Sequence, residues 1–192
     1  MKITPQNNIP GFSLPLPIYN SIHIADAIGR DGEEFGVFIG LDKKYAEQLK
    51  QLSLDKKDVD LQKNTGDKKR FGEGLYEDWY KKNRTPFALV HKQTDILAAI
   101  AWFGPEPLLS NKANWHTAAW RSYNPFRGKG LMKNFTDFVM NIYTQNVKNT
   151  GSEIKLWIAV KRGNPGSFKL ASALGFQVLE EASDEFSLVM TK

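Results

Sequence analysis

The sequence predicts a mixed α/β sheet flanked by helices, and three observations carry that expectation. From residue 87 onward, short apolar runs and amphipathic stretches follow the order strand, strand, strand, helix, strand, helix, strand, strand. Leu131, Phe135, Phe138, Val139, Ile142 and Tyr143 recur at three- and four-residue steps, with Lys133, Asn134, Asp137 and Asn141 opposite them. That spacing belongs to a helix with one buried face. Between the third strand and this helix stands Arg127-Gly128-Lys129-Gly130, a glycine-rich turn flanked by cations.

Taken in order, the first twenty residues hold Pro5, Pro10, Pro15 and Pro17 and read as an extended, irregular start. Val37-Phe38-Ile39, bounded by Gly36 and Gly40, reads as a strand. From Asp42, the spacing of Tyr45, Leu49 and Leu52 predicts a helix. Residues 53–70 are rich in Lys and Asp and are expected to form an exposed loop or mobile segment. Leu75, Tyr76, Trp79 and Tyr80 share a helical face that ends before Pro86. Phe87 to Val90 and Ile96 to Phe103 flank Thr94-Asp95 and predict a hairpin. His116 to Tyr123 is the next strand, with His116, Ala118 and Trp120 on one face and Thr117 and Ala119 on the other. Ile154 to Val160 is a strongly apolar strand, Phe168 to Leu174 a short helix closed by Gly175. Residues 176–179 and 186–190 complete the pattern as two strands.

Composition narrows the classes. With 192 residues, 41% of them apolar, the chain suits one domain spanning 1–192. No apolar run approaches the roughly 20 residues of a membrane helix, and the first residues lack the apolar core of a secretory signal. A cytoplasmic location is the default. Zero cysteines exclude disulfides, thiolate metal sites and a cysteine nucleophile, and three His without HExxH spacing give no expectation of a metal. The net charge of +5 suits a polyanion, either a nucleic acid or a phosphorylated cofactor. The Lys doublets are mostly interleaved with Asp and Glu and read as solvated faces. A nucleic-acid surface calls for aromatic residues among cations, whereas the glycine-cation cluster here sits in one loop.

A helix start offers unpaired N–H groups and a positive dipole end to an anion, and glycines let the backbone approach without a Cβ in the way. Two familiar phosphate loops do not fit. A triphosphate loop needs Ser or Thr after its Lys, and Gly130 follows Lys129; a dinucleotide loop needs a third glycine where Lys133 stands.

The second half of the chain resembles the GCN5-related N-acetyltransferase (GNAT) superfamily. Its pyrophosphate loop, Arg/Gln-x-x-Gly-x-Gly/Ala after a strand, matches Arg127, Gly130 and, with a larger residue, Met132. Its next strand ends Val-x-x-x-Asn, like Val160 to Asn164, and Leu170, Gly175 and Phe176 keep the frame of its last helix. The resemblance covers about 87–192. It implies a mostly antiparallel central sheet, splayed between the strands at 116–123 and 154–160. It also implies an acetyl-CoA co-substrate, with its pyrophosphate on the amides of Gly128, Lys129, Gly130, Leu131 and Met132 and with Arg127 and Lys129 nearby. The pantetheine arm is then expected along Ser122 and Tyr123, Asn164 at the mouth of the splay, and Phe168 near the thiol end. The core is 87–192, and 1–86 forms the acceptor side. An amine of a small molecule or protein is the expected partner, with no nucleic acid and no membrane; a homodimer is left open.

The departures lie in the last helix. Ala171 stands where the family's Tyr protonates the departing thiolate, Ala173 replaces its Lys, and Ser167 its small Ala. Acetyl transfer to an amine needs deprotonation of a group with a pKa near ~10, a polarised carbonyl and aligned reactants. Candidate bases are His116, whose ordinary pKa suits the task, and Glu106, acting through water from the loop before that strand. The ordinary alternatives are a strand His bonded to backbone and a surface-loop carboxylate. Candidate acids are Tyr123 and Ser172. A catalytically weakened acyl-CoA-binding module is the alternative that Ala171 motivates.

Overall fold

Among the described residues nine strands form a single sheet, and helices cover the apolar stripes of its central strands on both faces. A computed structural model describes residues 1–7, 9, 11–109 and 114–192; Pro10, counted above in the irregular start, lies outside them. The strands are β1 (Lys2–Pro5), β2 (Ser21–Ile28), β3 (Glu34–Gly40), β4 (Thr85–His91), β5 (Ile96–Pro105), β6 (Trp115–Ser122), β7 (Lys155–Lys161), β8 (Gln177–Val178) and β9 (Ser187–Thr191). Their order is β1-β2-β3-β4-β5-β6-β7-β9-β8. Every neighbouring pair is antiparallel except β6 and β7.

Helices α1 (Lys43–Leu54), α2 (Val59–Asn64) and α3 (Tyr76–Tyr80) belong to the cluster that covers one face, over Ala88, Val90, Ile100 and Trp102. Helices α4 (Met132–Asn149) and α5 (Pro165–Ala173) belong to the other, over Phe103, Ala118, Trp120, Ile158 and Val160. Asp42 caps α1 by accepting from the Tyr45 amide at 3.0 Å. Asn164 caps α5 and Pro165 opens it, while Gly175 at φ +88° ends it in the left-handed turn that glycine adopts freely.

Two expectations change. The start is not irregular throughout: β1 is an edge strand, and β2, unread in the sequence, pairs with both β1 and β3. The ladder of β2 shifts register between His23 and Ala25, so Ile24 and Ala25 are buried side by side and the alternation that announces a strand is broken. The Lys- and Asp-rich segment 53–70 is not an exposed loop. It forms α2 and most of a π-helical turn over Lys68–Gly72, and it buries Leu61 and Asp67. Ion pairs to Arg121 of β6 and Arg127 of the glycine loop, rather than an apolar period, fasten it.

β6 and β7 are in register only from Trp115–Lys155 to Thr117–Trp157. Beyond that point β6 continues along β5 to Ser122, and β7 along β9 to Lys161. The two strands therefore part like the arms of a V, at the place the sequence led us to expect.

Candidate active site

A groove of about 910 Å³ runs from the glycine loop, through the V, to Glu106. On the β6 side, the Tyr123 N–H donates to the Ala98 carbonyl at 2.9 Å. Alternation along an antiparallel ladder then turns the backbone of Trp120 and Ser122 the other way, into the V. Their carbonyls are taken: Arg121 Nη1 donates to Trp120 at 2.7 Å, and Arg127 donates to Ser122 through Nε at 3.1 Å and Nη2 at 2.9 Å. Their N–H groups have no partner among the described residues and remain for a ligand's carbonyls. Tyr123, expected to offer its backbone here, spends its amide within the sheet.

The loop itself is shaped as a cradle. Gly128 and Gly130 sit at φ +86° and +72°, a region that side-chain-bearing residues enter at a cost. A Cβ on Gly128 meets nothing within 4 Å. α4 starts with no side-chain cap, so the amides of its first turn, from Leu131 and Met132 onward, face outward unpaired. These features fit a pyrophosphate.

The two loop cations are engaged elsewhere. Arg127 holds Asp58 through two bonds of 2.6 and 2.5 Å, and Lys129 holds Glu33 at 2.7 Å and Asp31 at 3.2 Å. They anchor the loop to the N-terminal part. A further cation at the loop is Arg30, in the β2–β3 turn. Its guanidinium stands about 3.9 Å from where a Gly130 Cβ would be, and it has no carboxylate partner among the described residues. No motif announces Arg30; only the hairpin brings it there.

Burial pushes the Asp58 carboxyl up, but the Arg127 hydrogen bonds and the Leu61 amide outweigh it and hold its pKa below the usual aspartate value. A depressed folded pKa contributes stability above the unfolded value, about 3.9, that is lost as pH falls through the folded one. Urea midpoints of the native protein are therefore expected to fall more steeply below pH 5 than those of Asp58→Asn. Parallel pH profiles for the two would remove this pair from the account.

The candidate bases separate. His116 lies on the α4 face, buried, with Nδ1 on the Tyr143 hydroxyl at 2.6 Å; burial and then the Arg84 charge pull its pKa down. It does not line the groove. Glu106 does, and its carboxylate pairs with Arg84. Its carbonyl accepts from Trp157 Nε1 at 2.9 Å. Thr117 and Trp157 stand beside it at the apex of the V. Gly104 makes room for this arrangement, because a Cβ there would come within 2.7 Å of the Asn83 carbonyl and 2.9 Å of Arg84 Cδ.

The candidate acids do not reach the groove. The Tyr123 side chain is fully buried, its hydroxyl has no partner among the described residues, and burial pushes its pKa up. Ala171 points into the core, so a Tyr there would have no room without repacking. Phe168 is 37% exposed and lies off the groove wall. Asn164 is on the wall, but its side-chain oxygen caps the Ser167 amide at 3.1 Å. The Ser, Thr and Tyr side chains on the wall, among the described residues, are Thr65, Thr117, Ser122 and Ser167.

Sequence reasoning missed the α1–α3 side of the groove. Arg121 Nε and Nη2 grip Asp67, which is 0% exposed, and Arg70 Nη1 reaches the same carboxylate at 2.7 Å. Both guanidiniums lie over the Trp102 ring, at 5.6 Å for Arg70 and 4.8 Å for Arg121. Period-two alternation already placed Thr117 and Ala119 opposite His116 and extends to Arg121. What it did not reveal was which face meets the groove.

The sequence matches no protein-family model and no curated protein. The fold, however, is shared with solved acetyltransferases. An acetyltransferase from Agrobacterium tumefaciens str. C58 superposes with a TM-score of 0.59 at 12% identity, over 95% of this chain and 98% of that one. The ribosomal-protein-S5-alanine acetyltransferase of Vibrio fischeri gives 0.55 at 14%, over 81% and 92%. The microcin C7 self-immunity acetyltransferase MccE, solved with acetyl-CoA and AMP, gives 0.56 at 15%, over 81% and 91%. The open sheet, with its splay between β6 and β7, is the fold of these GNAT-family acetyltransferases. Among the described residues no helix is long and apolar enough to cross a membrane.

Proposed function

We propose that this protein is an acetyl-CoA-dependent N-acetyltransferase that passes an acetyl group to a primary amine of a small molecule or protein by direct attack in a ternary complex. The parting of β6 and β7 beyond Thr117 and Trp157 carries this reading, because it opens one continuous groove from an anion cradle to a carboxylate. The amides of Gly128, Gly130, Leu131 and Met132 and the Arg30 guanidinium hold the pyrophosphate, while the Lys129 amide, expected to join them, donates to the Phe126 carbonyl at 3.3 Å. The N–H groups of Trp120 and Ser122 hold carbonyls of the pantetheine arm. Residues 1–86 supply the acceptor side through α2, Arg70, Trp79, Lys82 and Arg84, all of which line the groove.

Acetyl-CoA supplies an activated acyl group on a thioester. Glu106 accepts the amine's proton, directly or through water, and Arg84 fixes its carboxylate. The walls of the V align the two reactants, which supplies much of the acceleration without an acid. Thr117 and Ser167 are the hydroxyls nearest in the chain to the apex and to α5, available to a departing thiolate. The second reading, an acyl-CoA-binding module, draws on Ala171, whose place in the core leaves α5 without the family's acid.

Calorimetry with acetyl-CoA and CoA, followed by thiol release across amines and peptides, tests both readings. Binding and turnover are expected, with Glu106→Gln lowering kcat roughly 10²-fold or more and leaving the acetyl-CoA affinity as it was. Binding without turnover selects the module. Absence of binding removes both.

A further inference from the structure

We propose that the acceptor is a small amine carrying an anionic group, a carboxylate or a phosphate, and that the free fork of Arg70 receives it. The proposal rests on the acetyltransferase reading for the word acceptor, and on the groove alone for the anion.

Four cations, Arg70, Lys82, Arg84 and Arg121, line the acceptor end of the groove. Two carboxylates answer them: Asp67 for Arg70 and Arg121, Glu106 for Arg84. Asp60, also on the wall, faces Arg127 at 3.9 Å beside the glycine loop. The acceptor end thus carries an excess of positive charge with low-dielectric aromatic walls, the setting in which a charge attracts a counter-ion most strongly.

Arg70 has the geometry to use that excess. Only its Nη1 is engaged, with Asp67; Nε and Nη2 have no partner among the described residues. Those two atoms form the parallel pair of donors that takes a carboxylate or phosphate bidentately. The side chain is 38% exposed. Its guanidinium lies 5.6 Å from the Trp102 ring and 5.7 Å from that of Phe71, which fixes its plane. Trp79 meets Trp102 edge-on at 5.7 Å and completes an aromatic wall beside the fork. Burial pulls the Arg70 pKa down, Asp67 pushes it back up, and the charges of Arg121 and then Arg84 lower it again. An anion on the fork relieves that crowding. Glu106 lies at the apex of the same end, so a single molecule can offer its amine to one and its anion to the other. The groove volume must also admit the donor's arm, which leaves room for a small acceptor.

The test uses paired amines that differ in the anion: β-alanine against propylamine, and phosphoethanolamine against ethanolamine. In thiol release the anionic member of a pair is expected to have a kcat/KM roughly ten- to hundredfold higher, the scale of a charge-assisted pair. The better of the two anionic amines identifies the group. In Arg70→Gln the anionic-to-neutral ratio falls toward one through KM. Arg70→Lys keeps the charge beside Asp67 but not the fork, and it also loses most of the ratio, so a folding defect in the first variant does not decide the matter. Quenching of tryptophan fluorescence by the same anionic amines, without donor, reads the subsite independently. If they bind and Arg70→Lys loses them while no amine is acetylated, the subsite stands and the acetyltransferase reading falls. If neutral amines are turned over as well as their anionic partners, or an acidic peptide outcompetes every small amine, the proposal is overturned.

Discussion

Replacing Asp67 with Ala is expected to lower stability by about 3–5 kcal/mol, the cost of stripping one partner from a buried ion pair. For a chain of this size that is a fall in Tm of roughly 6–20 °C. The carboxylate has no exposed surface and holds Arg121 by two bonds and Arg70 by one. Its removal leaves two neighbouring guanidiniums facing each other, with Arg84 close by and no counter-charge between them. Asp60→Ala is the matched control. Asp60 also lines the groove, but it is 79% exposed and 3.9 Å from its cation, so its loss is expected to stay within about 0.5 kcal/mol. Urea denaturation of the two variants reads the contrast directly. Equal effects would mean that the Arg–Asp–Arg cluster does not hold segment 53–70 in place.

The second large effect falls on the loop. Gly130→Val is expected to weaken acetyl-CoA binding roughly 10- to 100-fold, which at 1.4 kcal/mol per decade is within the strain of a β-branched residue in the left-handed region plus a blocked anion path. Gly130 sits at φ +72°, and its missing Cβ points toward the Arg30 guanidinium. Calorimetry checks the affinity, and circular dichroism checks that the fold persists. Unchanged affinity with an intact fold would move the pyrophosphate away from this loop.

Much of the architecture was legible because its signals are local. The 3.6-residue period of Phe135, Val139 and Tyr143 and the helix-closing Gly175 each declare themselves within a few residues. The V between β6 and β7 was reached through motif resemblance. The missed pieces are non-local or broken. β2 hides behind a bulge at His23–Ala25 that spoils its alternation. Segment 53–70 offers no apolar period, and what orders it is Asp58 on Arg127 and Asp67 on Arg121, partners 69 and 54 residues away. The site divides in the same way. Glu106 and the glycine loop reach the groove as read from the sequence, whereas His116 turns to Tyr143 and Tyr123 into the core. Arg30, Arg70 and Arg84 stand outside every motif, and only folding brings Arg70 and Arg84 to the groove and Arg30 to the glycine loop.

The pinning of the glycine loop has a consequence for how this fold is inherited and engineered. Arg127 and Lys129 lie within the recognisable half of the chain, yet their counter-charges, Asp31, Glu33 and Asp58, all lie in the unrecognisable half. The donor module is therefore not a self-contained part onto which any acceptor module can be spliced. A graft that exchanges residues 1–86 also exchanges the electrostatic fasteners of the cofactor loop, and it must bring carboxylates to the same three places or leave two loop cations to compete for the cofactor's phosphates.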